Sequence, residues 1–240
     1  KTTTLYASLH ALNDESTNIT TVEDPIEYEV GGLNQVQVHP GIDLTFAAAL
    51  RSILRQDPDV ILVGEIRDSE TAEMAFRAAL TGHLVLSTLH TNDAPSAATR
   101  LIDMGIAPYL IASTVIGVLA QRLVRKLCSH CREACDPTPE ELDRLQLSAE
   151  QVSKIQFHRA RGCAHCRNTG YQGRIALYEL MTINSDIREG ITQGLNASAL
   201  RQIALKSGMR SLKYDGLAKV HQGITSAREV ISVLFATDVL

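Results

Sequence analysis

Four apolar residues stand in succession at Val60-Ile61-Leu62-Val63 and are closed by Gly64-Glu65. So short a run with no polar interruption reads as a strand buried on both faces, as in a parallel sheet covered by helices. The flanking sequence repeats a rhythm of strand and helix. Residues Lys1 to Leu12 read as a helix, with Leu5, Leu9 and Leu12 on one face. Asn18 to Val22 is short and β-branched, hence a strand, and it runs into Glu23-Asp24-Pro25, where proline cannot continue a ladder. Leu44 to Gln56 and Ser69 to Leu80 carry helical patterns, and Leu84-Val85-Leu86 is a further buried strand. Two more helices are expected near Ala94 to Met104 and Pro108 to Leu123. The fold class is α/β.

A length of 240 residues fits one to two domains. Three segments differ in composition. Residues 1–124 carry the α/β rhythm. Residues 125–173 hold all five cysteines and few apolar runs. Residues 174–240 return to apolar periodicity, as a short strand (Arg174 to Leu180) followed by helices. The net charge of −4 argues against a general binder of polyanions. Aromatics are 4% of the residues, too few for a platform of stacked bases. The longest apolar stretch, Tyr109 to Ala120, is interrupted by Ser113 and Thr114 and falls short of the ~20 residues a membrane span needs. The chain starts at Lys1 without an initiator Met, and it reads as a fragment.

Several segments point to phosphate chemistry at the carboxyl ends of the predicted strands. Lys1-Thr2-Thr3-Thr4 opens the first helix. A Lys followed by Ser/Thr at a helix start is how a phosphate-binding loop finishes: the Lys reaches the outer phosphates and the hydroxyl holds Mg²⁺. The helix terminus adds N–H donors and partial positive charge. The glycine-rich half of such a loop is not in the sequence. Glu65, at the end of an apolar strand, can orient or deprotonate a water; the bland alternative is a surface Glu after a core strand. Glu23, Asp24 and Glu27 leave another strand together, where acids suit a metal-bound water or merely form an acidic turn. His90 follows Ser87-Thr88 at a strand's carboxyl end and can face a phosphate. His83, at the other end, reads better as a capping or core residue. Arg51, Arg55 and Arg67 lie nearby and suit phosphoryl charge or surface salt bridges.

Cys128-Ser-His-Cys131 and Cys163-Ala-His-Cys166 are two pairs of C-x₂-C spacing, separated by 31 residues. Each pair offers two thiolates to one tetrahedral Zn²⁺, and binding energy would replace a large core in this segment. Disulfides and a redox pair are the alternatives. Cys135 is left over as a free thiol. His130 and His165, inside the pairs, read as solvated loop residues.

The ordered set Thr21-Val22-Glu23-Asp24-Pro25-Ile26-Glu27, Leu54-Arg55-Gln56-Asp57-Pro58-Asp59, Val63-Gly64-Glu65-Ile66-Arg67-Asp68, Thr81-Gly82-His83-Leu84 and Ser87-Thr88-Leu89-His90-Thr91-Asn92 resembles the secretion ATPases of type II secretion and type IV pilus assembly. The resemblance covers nearly the whole chain. It implies a RecA-like P-loop NTPase core, here with its P-loop truncated, an inserted tetracysteine zinc module and a C-terminal helical subdomain. By position it matches Lys1, Thr2 and Thr3 to the nucleotide site, with Thr2 on Mg²⁺, and Glu65 to the Walker B glutamate. It matches Glu23, Asp24 and Glu27 to the Asp box, and His83 and His90 to the His box. The four paired cysteines match the assembly branch and argue against the retraction ATPases. The implied protein is a homo-hexameric ATPase that uses ATP with Mg²⁺ on the cytoplasmic face of the bacterial inner membrane. Its implied partners are a platform protein, the cytoplasmic domain of a recruiting membrane protein and acidic lipid head groups. The stretch Thr81 to Pro95 looks more like type II secretion than pilus assembly.

The competing readings are a nucleic-acid motor and a zinc-ribbon binding module. The binding module needs a basic patch, and Arg122, Arg125, Lys126, Arg159 and Arg161 are thin for one and equally suit an acidic partner or lipid head groups. No nucleic-acid partner is expected.

Overall fold

A computed structural model describes residues 1–235. In chain order the elements are α1 (Thr2–Leu12), β1 (Ile19–Glu23), β2 (Leu33–Gln37), α2 (Phe46–Ile53), β3 (Val60–Val63), α3 (Ser69–Leu80), β4 (Leu84–Ser87), α4 (Pro95–Asp103), α5 (Pro108–Thr114), β5 (Gly117–Leu127), β6 (Arg132–Ala134), α6 (Pro139–Leu145), α7 (Ala149–Ser153), β7 (His158–Ala160), β8 (Tyr171–Thr182), α8 (Ser185–Thr192), α9 (Ala197–Lys206), α10 (Leu212–His221) and α11 (Ala227–Leu234). They form two compact units. The first comprises Lys1–Val118 and Ile183–Ile203, and the second Leu119–Thr182 with the residues from Ala204 on. No helix among the described residues is long and apolar enough to cross a membrane.

The first unit holds a parallel four-stranded sheet in the order β2-β1-β3-β4. The register sets Val22 beside Val63 and Val63 beside Ser87, so the carboxyl ends of three strands finish at one edge. Strands β1 and β3 are buried at every residue; β3 is an uninterrupted apolar run, whereas β1 also encloses Thr20, Thr21 and Glu23. Strand β4 is only half-buried, because it is the edge of the sheet among the described residues. Helix α1 lays Leu9 on Ile19, Val60 and Leu62. Helix α3 spans the residues its pattern predicts and is capped by Asp68, whose carboxylate accepts from Thr71 N at 2.7 Å. Helix α2 is shorter than expected at both ends. Thr45 caps its start, accepting from Ala48 N at 3.2 Å.

Two sequence expectations need correction, and one strand is not visible in the sequence. Residues 115–123 are not helical: α5 ends at Thr114 and β5 begins at Gly117. The Val115-Ile116-Gly117-Val118 run is β-branched and glycine-interrupted, which favours a strand over a helix. Strand β2 carried no apolar signal, since Leu33-Asn34-Gln35-Val36-Gln37 lies at the sheet's other edge and is mostly polar. The cysteine segment does not lack a core. Leu145 and Phe157 are buried together with Val124, Leu177, Leu212, Val220 and Val230, so this segment shares one hydrophobic cluster of the second unit with α10 and α11, whereas Ile183–Ile203 belongs to the first unit.

That second unit is closed by an ion pair between a buried carboxylate and a half-exposed guanidinium. The Glu229 carboxylate, on α11, accepts from Arg125 N at 3.0 Å and from the Arg125 guanidinium at 3.0 and 2.5 Å. The guanidinium lies 4.3 Å over the Tyr171 ring, whose hydroxyl is 2.9 Å from Ser226 Oγ at the α11 cap. Burial pushes the Glu229 carboxyl up, but the Arg125 hydrogen bonds and the Arg125 and Arg228 charges outweigh it, so it ionises below the ordinary carboxylate range. A carboxylate with a lowered folded value stabilises the fold above its unfolded value and loses that contribution as pH falls through the lower one. The stability of Glu229→Gln, measured by denaturant unfolding, is therefore expected to lie below wild type at neutral pH. The gap should narrow as pH drops below the ordinary carboxylate range; a gap constant from pH 7 to pH 3 would contradict this role.

Candidate functional site at the carboxyl edge of the sheet

The aligned strand ends bring Glu65 and His90 together. Gly64 leaves β3 with its N–H bonded to Val22 O at 2.8 Å. A Cβ at Gly64 would sit 3.2 Å from Val22 O and 3.4 Å from Glu23 Cα, so glycine is what lets the chain leave β3 so close to β1. Thr88 Oγ1 donates to Gly64 O at 2.8 Å, and Ile66 N donates to Thr88 O at 3.0 Å. These bonds fasten the segment after β4 to the segment after β3. His90 Nε2 then lies 3.3 Å from Glu65 Oε2, which also accepts from Arg67 Nε at 2.5 Å. Lys1, at the start of α1, donates from Nζ to Leu89 O at 2.7 Å. The α1 N-terminus thus reaches the same loop.

The Glu65 side chain is 15% exposed. Burial raises its affinity for a proton, and the hydrogen bonds and charges of Arg67 and His90 outweigh that. Its carboxyl is held below the ordinary range and is ionised at neutral pH. An ionised, half-buried carboxylate at this edge can orient a water and accept its proton.

The remaining predicted residues are distributed. Glu23 is buried between β1 and α1, where its carboxylate accepts from Tyr6 Oη at 2.5 Å, Thr21 Oγ1 at 2.6 Å and Gln35 Nε2 at 3.2 Å. Tyr6 was not singled out by the sequence, since it looked like one more residue of a helix face. Burial and the neighbouring Glu23 push its hydroxyl up to about 12. Asp24 and Glu27 are exposed, so the three acids do not form one cluster with a common orientation. His83 Nδ1 lies 2.9 Å from Ala78 O and 3.0 Å from Thr81 Oγ1, at the end of α3. It sits at the opposite end of β4 from His90. Thr2 and Thr3 are in the first turn of α1. Arg51 pairs with Glu70 on the surface.

In the second unit the four predicted cysteines converge. All four sulfurs lie within 4.8 Å of one another. Cys128–Cys163, Cys131–Cys166 and Cys163–Cys166 are separated by 3.9, 3.8 and 3.7 Å. Four thiolates about 2.3 Å from a tetrahedral ion would lie about 3.8 Å apart, so the residues fit a metal. The backbone supports it: Cys163 N and Gly170 N donate to Cys166 Sγ at 3.2 and 3.1 Å. The His130 and His165 rings stack at 4.0 Å, outside the sulfur cluster. Cys135 stays apart, packed against the apolar cluster of the unit.

The family model for the type II/IV secretion system protein matches residues 1–232. The chain belongs to that family. The type II secretion system protein E of Pseudomonas aeruginosa is 52% identical over 233 residues, 97% of this chain and 46% of that protein. The type II secretion system ATPase E of Vibrio cholerae is 50% identical over 233 residues, 97% of this chain and 46% of that protein. The type IV pilus assembly ATPase PilB of Thermus thermophilus is 50% identical over 232 residues, 97% of this chain and 26% of that protein. The chain thus spans less than half the length of these relatives. Among solved structures, the pilus retraction motor PilT with bound ADP aligns with a TM-score of 0.71 at 30% identity, over 97% of this chain and 57% of that one. The Legionella pneumophila ATPase DotB aligns with a TM-score of 0.67 at 24% identity, over 99% of this chain and 57% of that one, a likeness of fold.

For this member of the secretion family the basic patch is thinner than the sequence suggested. Arg125 is committed to Glu229, and Arg159 Nε pairs with Glu133 at 2.8 Å. The cysteine cluster generates a direct test. The purified intact protein is expected to carry one tightly held metal ion per chain, by elemental analysis. Cys166→Ser should bring the content well below one and lower the thermal midpoint. A metal-free protein with an unchanged midpoint would contradict the site.

Proposed function

We propose that this chain is the ATP-hydrolysing part of a type II secretion motor that drives pseudopilus assembly and the export of folded proteins across the outer membrane. The observation that carries the reading is the pairing of Glu65 with His90 at one edge of the parallel sheet, with Lys1 bonded to Leu89 O in the same loop. Ligands of open α/β sheets sit at that edge. Relatives about half identical to this chain are named as ATPases, and the solved neighbour PilT binds ADP.

In this reading Lys1 and the first N–H groups of α1, with Thr2 and Thr3, hold the outer phosphates. Mg²⁺ bound with ATP supplies charge neutralisation, and Thr2 is its protein ligand. Glu65 positions the attacking water and takes its proton, and His90 reads the terminal phosphate. Asp24 and Glu27, exposed beyond the end of β1, add acidic groups near the metal-bound water. Glu23 acts from within, through the bonds that fix the end of β1. His83 enters through the His box alone; its ring holds the turn between α3 and β4. Cys128, Cys131, Cys163 and Cys166 would hold a zinc ion, which would serve a structural role. The assembly is a homo-hexamer on the cytoplasmic face of the inner membrane. Its partners are a platform protein, a recruiting membrane protein and acidic lipid head groups, and nucleic acid is not among them.

Type IV pilus assembly is the second reading, favoured by the 50% identity to the Thermus thermophilus pilus ATPase. The retraction motor, at 30%, stands further off.

Glu65→Gln in the intact protein is expected to bind ATP normally while turning it over roughly 10²- to 10⁴-fold more slowly. His90→Ala should lower kcat more than it weakens nucleotide binding. Near-normal turnover by Glu65→Gln would remove the assigned role.

A further inference from the structure

The loop that carries His90 is anchored at both ends, and only one anchor belongs to the nucleotide site. At the near end, Thr88 is bonded to the backbone after β3. At the far end, three residues beyond His90, Asp93 uses its two carboxylate oxygens for different partners. Oδ1 accepts from Ser96 N at 2.8 Å and holds the first turn of α4. Oδ2 accepts from Arg201 Nη2 at 2.5 Å, on α9. The pair is 22% and 33% exposed, far less than the surface pairs of this chain. Thr91 Oγ1 donates to Asp93 O at 3.1 Å, which tightens the same turn.

Helix α9 is a firm support for Arg201. Asn196 caps it, accepting from Ala199 N at 2.9 Å, and Leu200 is fully buried. A methyl group on Gly190 of α8 would meet Leu200 and Leu195 at 3.0 and 3.1 Å, so α8 and α9 pack closely there. Helix α8 in turn packs on α5, and Ile183 N donates to Ile116 O at 3.1 Å. His90 itself has a side chain 68% exposed, and its ring lies 3.3 Å from Glu65, long for a hydrogen bond. Its position therefore depends on the loop more than on its own packing.

We infer that Arg201 is a positioning residue: its ion pair with Asp93 holds the loop after β4 so that His90 faces Glu65. The inference rests on the proposed roles of Glu65 and His90. It also gives residues 183–203 a part in the site, although they lie far along the chain from every motif. A loop displaced by about 1 Å can cost up to about a hundredfold in rate, because the reacting geometry is lost while binding survives.

The test is a set of variants of the intact protein, assayed for kcat, nucleotide KM and thermal midpoint. Arg201→Ala is expected to lower kcat about tenfold or more, with KM within about twofold. Asp93→Asn keeps the acceptor for Ser96 N and loses the charge, so it should give a similar loss. The double variant Arg201→Ala/Asp93→Asn should be no worse than either single one, the signature of a shared interaction. Arg201→Lys should recover part of the rate. Adding Arg201→Ala to His90→Ala should cost nothing further. Multiplying losses in either double variant, or a kcat unchanged in Arg201→Ala, would overturn the inference. If Arg201→Ala does not fold, Asp93→Asn and Arg201→Lys decide by the same split of kcat from KM. Normal turnover by His90→Ala would remove the site reading and this inference together; lost turnover by His90→Ala with normal turnover by Arg201→Ala would remove this inference alone.

Discussion

The register of the parallel sheet is the constraint from which the candidate site follows. Val22, Val63 and Ser87 lie side by side, so three chains leave the sheet at one level. Parallel pairing fixes this: every strand points the same way, and every carboxyl end faces the same crevice. Hydrophobic burial holds the register in turn. Ile19, Val22 and the whole of β3 are enclosed, and a slip of β3 by one residue would draw the exposed Asp59 or the Gly64-Glu65 turn into the enclosed stretch. Glu65 and His90 come from strands 20 or more residues apart in sequence, yet no contact between them has to create the site. Their own interaction is a modest one, a half-exposed pair at 3.3 Å. The sheet supplies the proximity, and the pair supplies the orientation.

The second unit is held by different means. Its apolar cluster draws on β5, α6, β8, α10 and α11, elements widely separated along the chain. Two polar features fasten what the cluster leaves loose. Arg125 and Glu229 join β5 to α11, and Leu127 N bonds Ile224 O beside them at 2.8 Å. The cysteines join two turns that have little apolar side chain of their own. Thiolate ligands for a metal suit such a place, because binding energy becomes folding energy where a core is thin.

Much of the first unit was legible from the sequence. The apolar run of β3 could only be a doubly covered strand, and α3 has a cap, an alanine-rich face and a glycine stop within its own sequence. The cysteine pairs were equally plain, since C-x₂-C spacing carries its own geometry. What was not legible depends on distant partners. Strand β2 is polar and took its conformation from β1. Residues 117–123 of β5 read as the end of a helix because Ala120, Gln121, Arg122 and Leu123 favour one, while pairing with β8 decides otherwise. Glu23 looked like an exposed acid of a turn, and only the position of Tyr6 shows that its carboxylate is turned inward. Asp93 and Arg201 carried no signal at all, because a salt bridge across 108 positions leaves no local pattern.

The central claim is that the edge formed by Lys1, Glu65 and His90 powers a secretion motor. It is tested most directly by ATP turnover of the intact protein, with and without the cytoplasmic part of its platform or recruiting partner, and separately with DNA and RNA. The account predicts turnover that rises with the partner and with hexamer formation and that ignores nucleic acid. Turnover indifferent to the partner but raised by DNA or RNA would contradict it.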